Sequence, residues 1–338
     1  MRIAFLPDER TPNTLYRSVG PMVQLRERGH ETRDLDPENR KSWNELLRWC
    51  ELFHMHRVCD AGAVELARAA KQTGATVVWD DDDDVTRVPR SLAGYREAGG
   101  YKGARRLQAR ARLFEHVDLV TTPSPVLADA FRAGGAREVQ VIENHVIDGF
   151  VEGRAPRNGR VEVGWTAGEE HKLDVEQIPV VDALRRLLER HPDVHVTTFG
   201  LRLEGLPPER YDHIGLVTYK ELLRRAAAFD VGIAPLSPAH EISRARSNVK
   251  LKEYSAVGVP WLASPIGPYA GLGERQGGRL VADDRWFDEL DALIGSERTR
   301  RKLARRAAKW GREQLLSRHV AAWERSFEHL LARVRGRG

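Results

Sequence analysis

The run Val231-Gly232-Ile233-Ala234-Pro235-Leu236 is followed by Arg244-Ala245-Arg246-Ser247-Asn248-Val249-Lys250-Leu251-Lys252-Glu253-Tyr254-Ser255-Ala256-Val257-Gly258-Val259. Pro260-Trp261-Leu262-Ala263 then closes the stretch. Ser247 suits an N-cap and Gly258 a helix stop, so the middle segment reads as a helix between two apolar strands. A strand, a helix and a strand in this order imply the crossover that parallel strands need. Upstream in the same half, Val161–Trp165 and Val194–Phe199 read as strands, with a helix over 174–190 between them. Val151–Gly159 is polar and carries Gly and Pro, the composition of a linker. Before it the alternation repeats. Strands are expected at 2–6, 52–56, 76–79, 119–121 and 139–142, and helices around 60–73, 100–116 and 124–133. Thr11-Pro12 resembles a cap with proline at the first helical position, opening a helix that carries Leu15, Val19, Met22 and Leu25 and ends at Gly29. The expected fold class is α/β. It comprises two doubly wound Rossmann-like domains over 1–155 and 156–318, with a cleft at the carboxyl ends of the strands and a tail helix over 319–338.

Composition narrows the function. A chain of 338 residues with 41% hydrophobic and 30% charged residues has the balance of an ordinary globular protein. No stretch approaches the ~20 apolar residues of a membrane helix. Ile3–Leu6 is too short for a signal-peptide core. Cys50 and Cys59 cannot build a disulfide framework or a four-ligand zinc site. The expected location is the cytoplasm. Lys and Arg total 54 against 49 for Asp and Glu, and a net charge of +5 does not establish a nucleic-acid partner. Neither G-x-G-x-x-G, G-x-x-x-x-G-K-[ST] nor G-x-S-x-G is present, so the dinucleotide, P-loop and hydrolase-elbow fingerprints are absent.

The helix opening at Ser247-Asn248 offers unpaired backbone N–H groups and a positive dipole end, with Arg246 and Lys250 adding full charges. Such a start can hold a diphosphate without a P-loop. Glu253, three residues past Lys250 on the same helix side, can accept from sugar hydroxyls. The competing reading is an amphipathic helix with solvated charges.

This stretch, continued by Val259-Pro260-Trp261-Leu262-Ala263-Ser264, resembles the donor-binding segment of family 4 glycosyltransferases, which have the two-Rossmann GT-B fold. The resemblance implies that Glu253, five residues before the Gly of Gly258-Val259-Pro260, contacts the nucleotide ribose. The family's second Glu, eight residues earlier, is Ala245 here, and Arg246-Ser247-Asn248-Val249-Lys250 matches a branch reading Lys/Arg-Ser-x-x-Lys. Tyr16–Pro21, Trp79–Asp84, Leu119–Ser124, Val141–His145, Gly164–Gly168, Tyr219–Leu222 and Asp230–Pro235 resemble further family segments, in order over about 270 residues. Gly20 and Gly168 fall among them as expected donor-side positions, and Lys172 is the expected extra phosphate contact.

Outside that segment, His54 and His56 alternate on one strand with Arg57 beyond them. They are read as phosphate, acceptor or proton-relay groups near the cleft, or as a structural pair. The Asp80–Asp84 run is read either as a cation site or, with more weight, as a strand end contributing one acid to the acceptor side, since five adjacent residues cannot all point one way. His145 is a further cleft candidate. Two basic helices, one holding Arg96, Lys102, Arg105, Arg106, Arg110 and Arg112 and one running from Arg298 to Arg312, are either solvated faces or contacts for an anionic acceptor.

The resulting expectation is a retaining glycosyltransferase that takes a UDP- or GDP-linked sugar as co-substrate, with no metal and no other cofactor. Lys250, Arg246, His54 and Asp81 are the expected catalytic groups. Gly20, Gly168, Lys172, Ser247, Asn248, Lys250 and Glu253 are expected at the donor, and His56, Arg57, Asp82 and His145 at the acceptor. The alternatives are transfer to a hydroxylated DNA base or another anionic acceptor such as a lipid phosphate, and a non-catalytic sugar-nucleotide-binding protein. The resemblance also implies that the tail helix, through Trp323 and Phe327, packs back on the N-terminal domain.

Overall fold

The structure, a computed structural model, describes residues 1–7, 12–35, 40–84, 86, 90, 103–151 and 159–336. Twelve strands form two sheets of six. β1 to β6 are Arg2–Leu6, Glu31–Asp34, Leu52–His56, Thr76–Asp80, Leu119–Thr122 and Val139–Val141. β7 to β12 are Val161–Ala167, Val194–Gly200, Tyr211–Ile214, Val231–Ala234, Trp261–Ala263 and Gly278–Leu280. The spatial orders are β2-β1-β3-β4-β5-β6 and β12-β11-β10-β7-β8-β9, and the pairings are parallel. Each sheet reverses its strand order once, between β1 and β3 and between β7 and β10. Such switch points open crevices for ligands at the carboxyl ends.

Central strands are buried along their whole length, as in Leu52–His56 and Thr76–Asp80, and their apolar runs made them readable. β2, β9 and β12 are not foreseen by the sequence reading. All three sit at or next to sheet edges, where a strand needs no continuous apolar run, and Glu31-Thr32-Arg33-Asp34 shows the result. The helix expected over 174–190 is two helices, Lys172–Gln177 and Val180–Arg190. Pro179 lacks the N–H that a continuous helix would use. Pro12–Glu27 is not one regular helix. It contains a π-helical turn over Leu15–Val19, whose last bond runs from the Gly20 N–H to the Leu15 carbonyl. Thr11, Arg96, Lys102 and most of the expected linker lie outside the described residues.

The tail helix Ala321–Arg335 lies on the first sheet. Trp323, Phe327, Leu330 and Leu331 share a buried cluster with Ile3, Phe5, Leu52, Val78 and Leu119. At ~1.5–3 kcal/mol for each large apolar side chain buried, this one face amply anchors the helix. The chain crosses back to that sheet beside the outgoing crossing: Val146 N–H donates to the Gln314 carbonyl, and Leu316 N–H to the Val146 carbonyl.

Candidate active site

A cavity of about 290 Å³ lies between the two sheets. Asn13, Tyr16, Asp82, Asp83 and Asn144 line it from the N-terminal half. Gly168, Glu170, His171, Arg246, Ser247, Lys250, Glu253 and Tyr269 are among its lining from the other half.

The wall built by Glu241–Ala245 and Val249–Ala256 carries the positive charge. Ser247 does not cap the second of these helices. Asn248 holds the N-cap position without a side-chain cap bond, and the Ser247 hydroxyl instead accepts from Asn144 Nδ2 at 3.2 Å. Arg246 Nη1 donates to Glu170 Oε1 at 3.1 Å, while its buried Nε and Nη2 have no partner among the described residues. Burial pushes the Glu170 carboxyl up, but Arg246 and His171 outweigh it and hold the group at about 2. Lys250 Nζ donates to His171 Nε2 at 3.0 Å, and His171 Nδ1 donates to Asp174 Oδ2 at 2.7 Å. Asp174 is itself fixed by the Ser237 N–H at 2.7 Å and the Ser243 hydroxyl at 2.9 Å. This buried carboxylate selects the histidine tautomer whose Nε2 accepts. Burial, then the neighbouring Lys250 and Arg246 charges, drives His171 down to about 4, so it is neutral at pH 7. Burial and Arg246 bring Lys250 down to about 8.

Glu253 is buried, and burial lifts its carboxyl to about 7 against the hydrogen bond from the Tyr16 hydroxyl. Tyr16 comes from the π turn of the other half, so this contact spans the cleft. Two more contacts cross beside it: the Ser124 hydroxyl donates to the Ala245 carbonyl at 2.8 Å, and Lys252 Nζ to Glu143 Oε2 at 2.7 Å.

On the N-terminal side the five acids diverge. Asp80 is held by Arg17, Nε to Oδ1 at 3.0 Å and Nη2 to Oδ2 at 2.6 Å, deep in the core. Asp81 faces Arg106 at 3.6 Å, and burial raises it to about 7. Asp84 pairs with Arg110 at 3.1 Å. Asp82 and Asp83 line the cavity. His56 Nε2 lies 3.6 Å from Asp82 Oδ1 and Arg57 Nε 3.8 Å away. Burial pushes Asp82 up, yet these two neighbours bring it to about 2. Arg57 adopts a left-handed φ of 60°, a conformation uncommon outside glycine.

Several expected site residues fall elsewhere. His54 sits in the core beneath the tail helix, its ring 5.0 Å from Phe5, 5.7 Å from Trp323 and 6.0 Å from Phe327. His54 and His56 share a face of β3, but the apolar tail helix covers that face at His54, and only His56, at the strand end, reaches Asp82. Asp81 belongs to the Arg106 contact and is not among the residues lining the cavity. Gly20 is a packing position: a Cβ there would lie 2.5 Å from the Leu15 carbonyl oxygen and 2.8 Å from Ile147 Cδ1 and Leu316 Cδ2. Lys172 is half-exposed and pairs with Glu169 at 2.7 Å; its neighbour His171 is the residue turned to the cavity. His145 stacks on His319, centroids 3.7 Å apart, behind Asn144. Tyr16, Asn144, Glu170, His171 and Tyr269 are site residues that the sequence reading missed. Only His171 and Asp174, three apart at a helix start, left a local signal.

No protein-family model matches the chain, and no curated protein matches it. Solved structures do. HepE of Anabaena, determined with UDP and glucose, superimposes with a TM-score of 0.66 over 98% of this chain and 99% of its own, at 13% identity. Sucrose-phosphate synthase of Thermosynechococcus elongatus gives 0.65 over 98% and 99% at 13% identity. A glycosyltransferase of Rickettsia africae gives 0.64 over 98% of each chain at 12% identity. The fold is GT-B. In GT-B terms the cavity is the interdomain cleft, with the cationic wall on the C-terminal half and Asp82 and Asp83 facing it from the N-terminal half.

Proposed function

We propose that this GT-B chain is a glycosyltransferase that moves a sugar from a nucleotide-diphosphate donor to an acceptor hydroxyl. The observation that carries the reading is the wall formed by Arg246, Lys250 and the uncapped helix start at Asn248, with two Arg246 nitrogens that have no partner among the described residues. Cations and N–H groups fixed where the leaving diphosphate accumulates charge stabilise the transition state more than the ground state. Glu253 is assigned to the ribose, and Ser247, Asn248 and Gly168 to the diphosphate wall. UDP is favoured as the nucleotide, because HepE was solved with UDP-glucose as well as with UDP.

The N-terminal half takes the acceptor, with Asp82 and Asp83 receiving its hydroxyls and His56 and Arg57 fixing Asp82 from behind. The anomeric carbon–oxygen bond to phosphate breaks as the acceptor oxygen bonds to that carbon. Retention follows when attack comes from the side of the departing phosphate, whose oxygen then takes the hydroxyl proton. The alternative of a DNA base as acceptor loses support from the helix Gly103–Phe114, because Arg106 and Arg110 turn inward to Asp81 and Asp84.

The test is a thermal-shift series with UDP, GDP and ADP, followed by hydrolysis of radiolabelled UDP-sugars in EDTA without acceptor. UDP present at 100 times its Kd should stabilise the chain by about 2.7 kcal/mol. A nucleotide-stabilised chain that releases no sugar under any condition would be a binding protein, and one stabilised by no nucleotide would end the reading. Hydrolysis that needs added manganese would place a metal in the mechanism.

A further inference from the structure

The helix Glu297–Glu313 packs by Leu303, Ala307 and Gly311, leaving the opposite face in solvent. Arg298, Lys302, Arg305, Lys309 and Arg312 are exposed there, at successive spacings of 4, 3, 4 and 3. At 3.6 residues per turn these positions form one stripe, ~21 Å long at 1.5 Å per residue. None of the five makes a hydrogen bond or ion pair among the described residues. Arg301 flanks the stripe and spends its charge on Glu297 at 2.7 Å, and Arg306 on the other flank pairs with Glu274 at 3.0 Å.

Solvated helix faces ordinarily mix signs at i, i+4, which adds stability. Each step from one stripe residue to the next, at i, i+3 or i, i+4, joins like charges that repel, and Glu313, at i+4 from Lys309, is the one acid beside its end. Arg298 also sits in the first turn, where the helix dipole disfavours a cation. A face that repels itself in isolation is relieved by an array of negative charge.

We infer that this face is a docking surface for an anionic phospholipid bilayer. The helix's one aromatic residue, Trp310, is half-buried against the core, so no stacking platform for single strands is offered. A straight stripe of long cationic side chains meets a plane of lipid phosphates with all five charges at once, and polybasic segments bind anionic leaflets in this way. The surface lies apart from the cleft, so the inference does not depend on which donor or acceptor is used.

Flotation of the full chain with vesicles of phosphatidylcholine containing 30 mol% phosphatidylglycerol tests it. Binding is expected at 50 mM salt, lost on pure phosphatidylcholine and lost at 500 mM salt. The triple variant Lys302→Gln/Arg305→Gln/Lys309→Gln should lower partitioning roughly 100-fold, at about fivefold per cation. A control with the same charge change, Arg185→Gln/Arg190→Gln/Arg202→Gln, should stay within threefold of wild type. Equal losses in both variants, or no binding of the wild type, would overturn the proposal. So would tighter binding to a 30-base-pair DNA duplex than to the vesicles when the stripe variant abolishes both. The substitutions are at exposed positions, and an unchanged melting curve confirms that each variant is folded.

Discussion

Lys250 keeps its charge in a buried site because Glu170, Asp174 and Glu253 offset part of the desolvation that brings it to about 8. On the proposed function, Lys250→Ala should therefore act mainly on turnover, since a leaving diphosphate is most negative in the transition state. A lost contact of ~2–4 kcal/mol corresponds to a fall in kcat of roughly 30- to 1000-fold, with donor affinity changed far less. Steady-state kinetics of the variant decide this, and a change within twofold in both constants would make the residue a bystander. His54 makes the opposite case. Neither ring nitrogen has a partner among the described residues, and burial drives the group from an ordinary 6.5 to about 3. A folded value below the unfolded one gives stability that is present above pH 6.5 and lost as the pH falls, because the unfolded chain then takes up the proton. His54→Phe should thus gain ~2 kcal/mol at pH 5 relative to its own effect at pH 8, and leave kcat unaltered. Denaturant titrations at the two pH values measure it. The contrast shows what was legible in the sequence. Arg246 and Lys250 were readable because four residues of one chain segment bring them together. Tyr16 with Glu253, and Lys250 with His171, meet only after 237 and 79 residues of chain have folded back, and no local pattern announces such pairs.

The π turn over Leu15–Val19 decides how the first helix serves the cleft. Tyr16, Arg17 and Ser18 are all buried, where a regular amphipathic helix would turn one of three consecutive residues outward. The wide turn sends Tyr16 to Glu253 and Arg17 to Asp80. Gly20 ends it within 2.5 to 2.8 Å of three neighbours for any added Cβ, so Gly20→Ala should lower stability by ~1–3 kcal/mol through overpacking. Melting of the variant checks this, and donor affinity measured on the folded fraction should be unchanged. The sequence showed the apolar spacing of this helix but not its register slip, because Leu15, Val19, Met22 and Leu25 fit a regular helix equally well. The strands divide in the same way. Interior strands announced themselves by continuous apolar runs, while β2, β9 and β12 carry ordinary polar residues and are strands only because a neighbour offers a free edge.

At the scale of the molecule, Arg17 joins the parts. It grips Asp80, donates to the Ile142 carbonyl and to Asn144 Oδ1 at 3.0 Å, and lies 4.7 Å from the Trp323 ring of the tail helix. Asn144 passes the contact on to Ser247 at the cationic wall of the cleft. Arg17→Met would strand the buried Asp80 carboxylate, and ~3–5 kcal/mol of stability should be lost. Adding Asp80→Leu to that variant should restore a part of it, which a double-variant cycle by chemical denaturation would reveal. The two side-by-side crossings at Val146 and Leu315 carry a different implication. Residues near both ends of the described chain rest on the first sheet's half, Met1 beside His30 at 3.3 Å and Arg335 on Glu51. In topological terms the C-terminal half is a long insertion whose two stems enter and leave through one doorway. An insertion with adjacent stems is a cassette. On the proposed function, exchanging residues 147–314 for the corresponding segment of another GT-B protein should graft that protein's nucleotide preference onto an unaltered N-terminal half, with only two junctions to engineer.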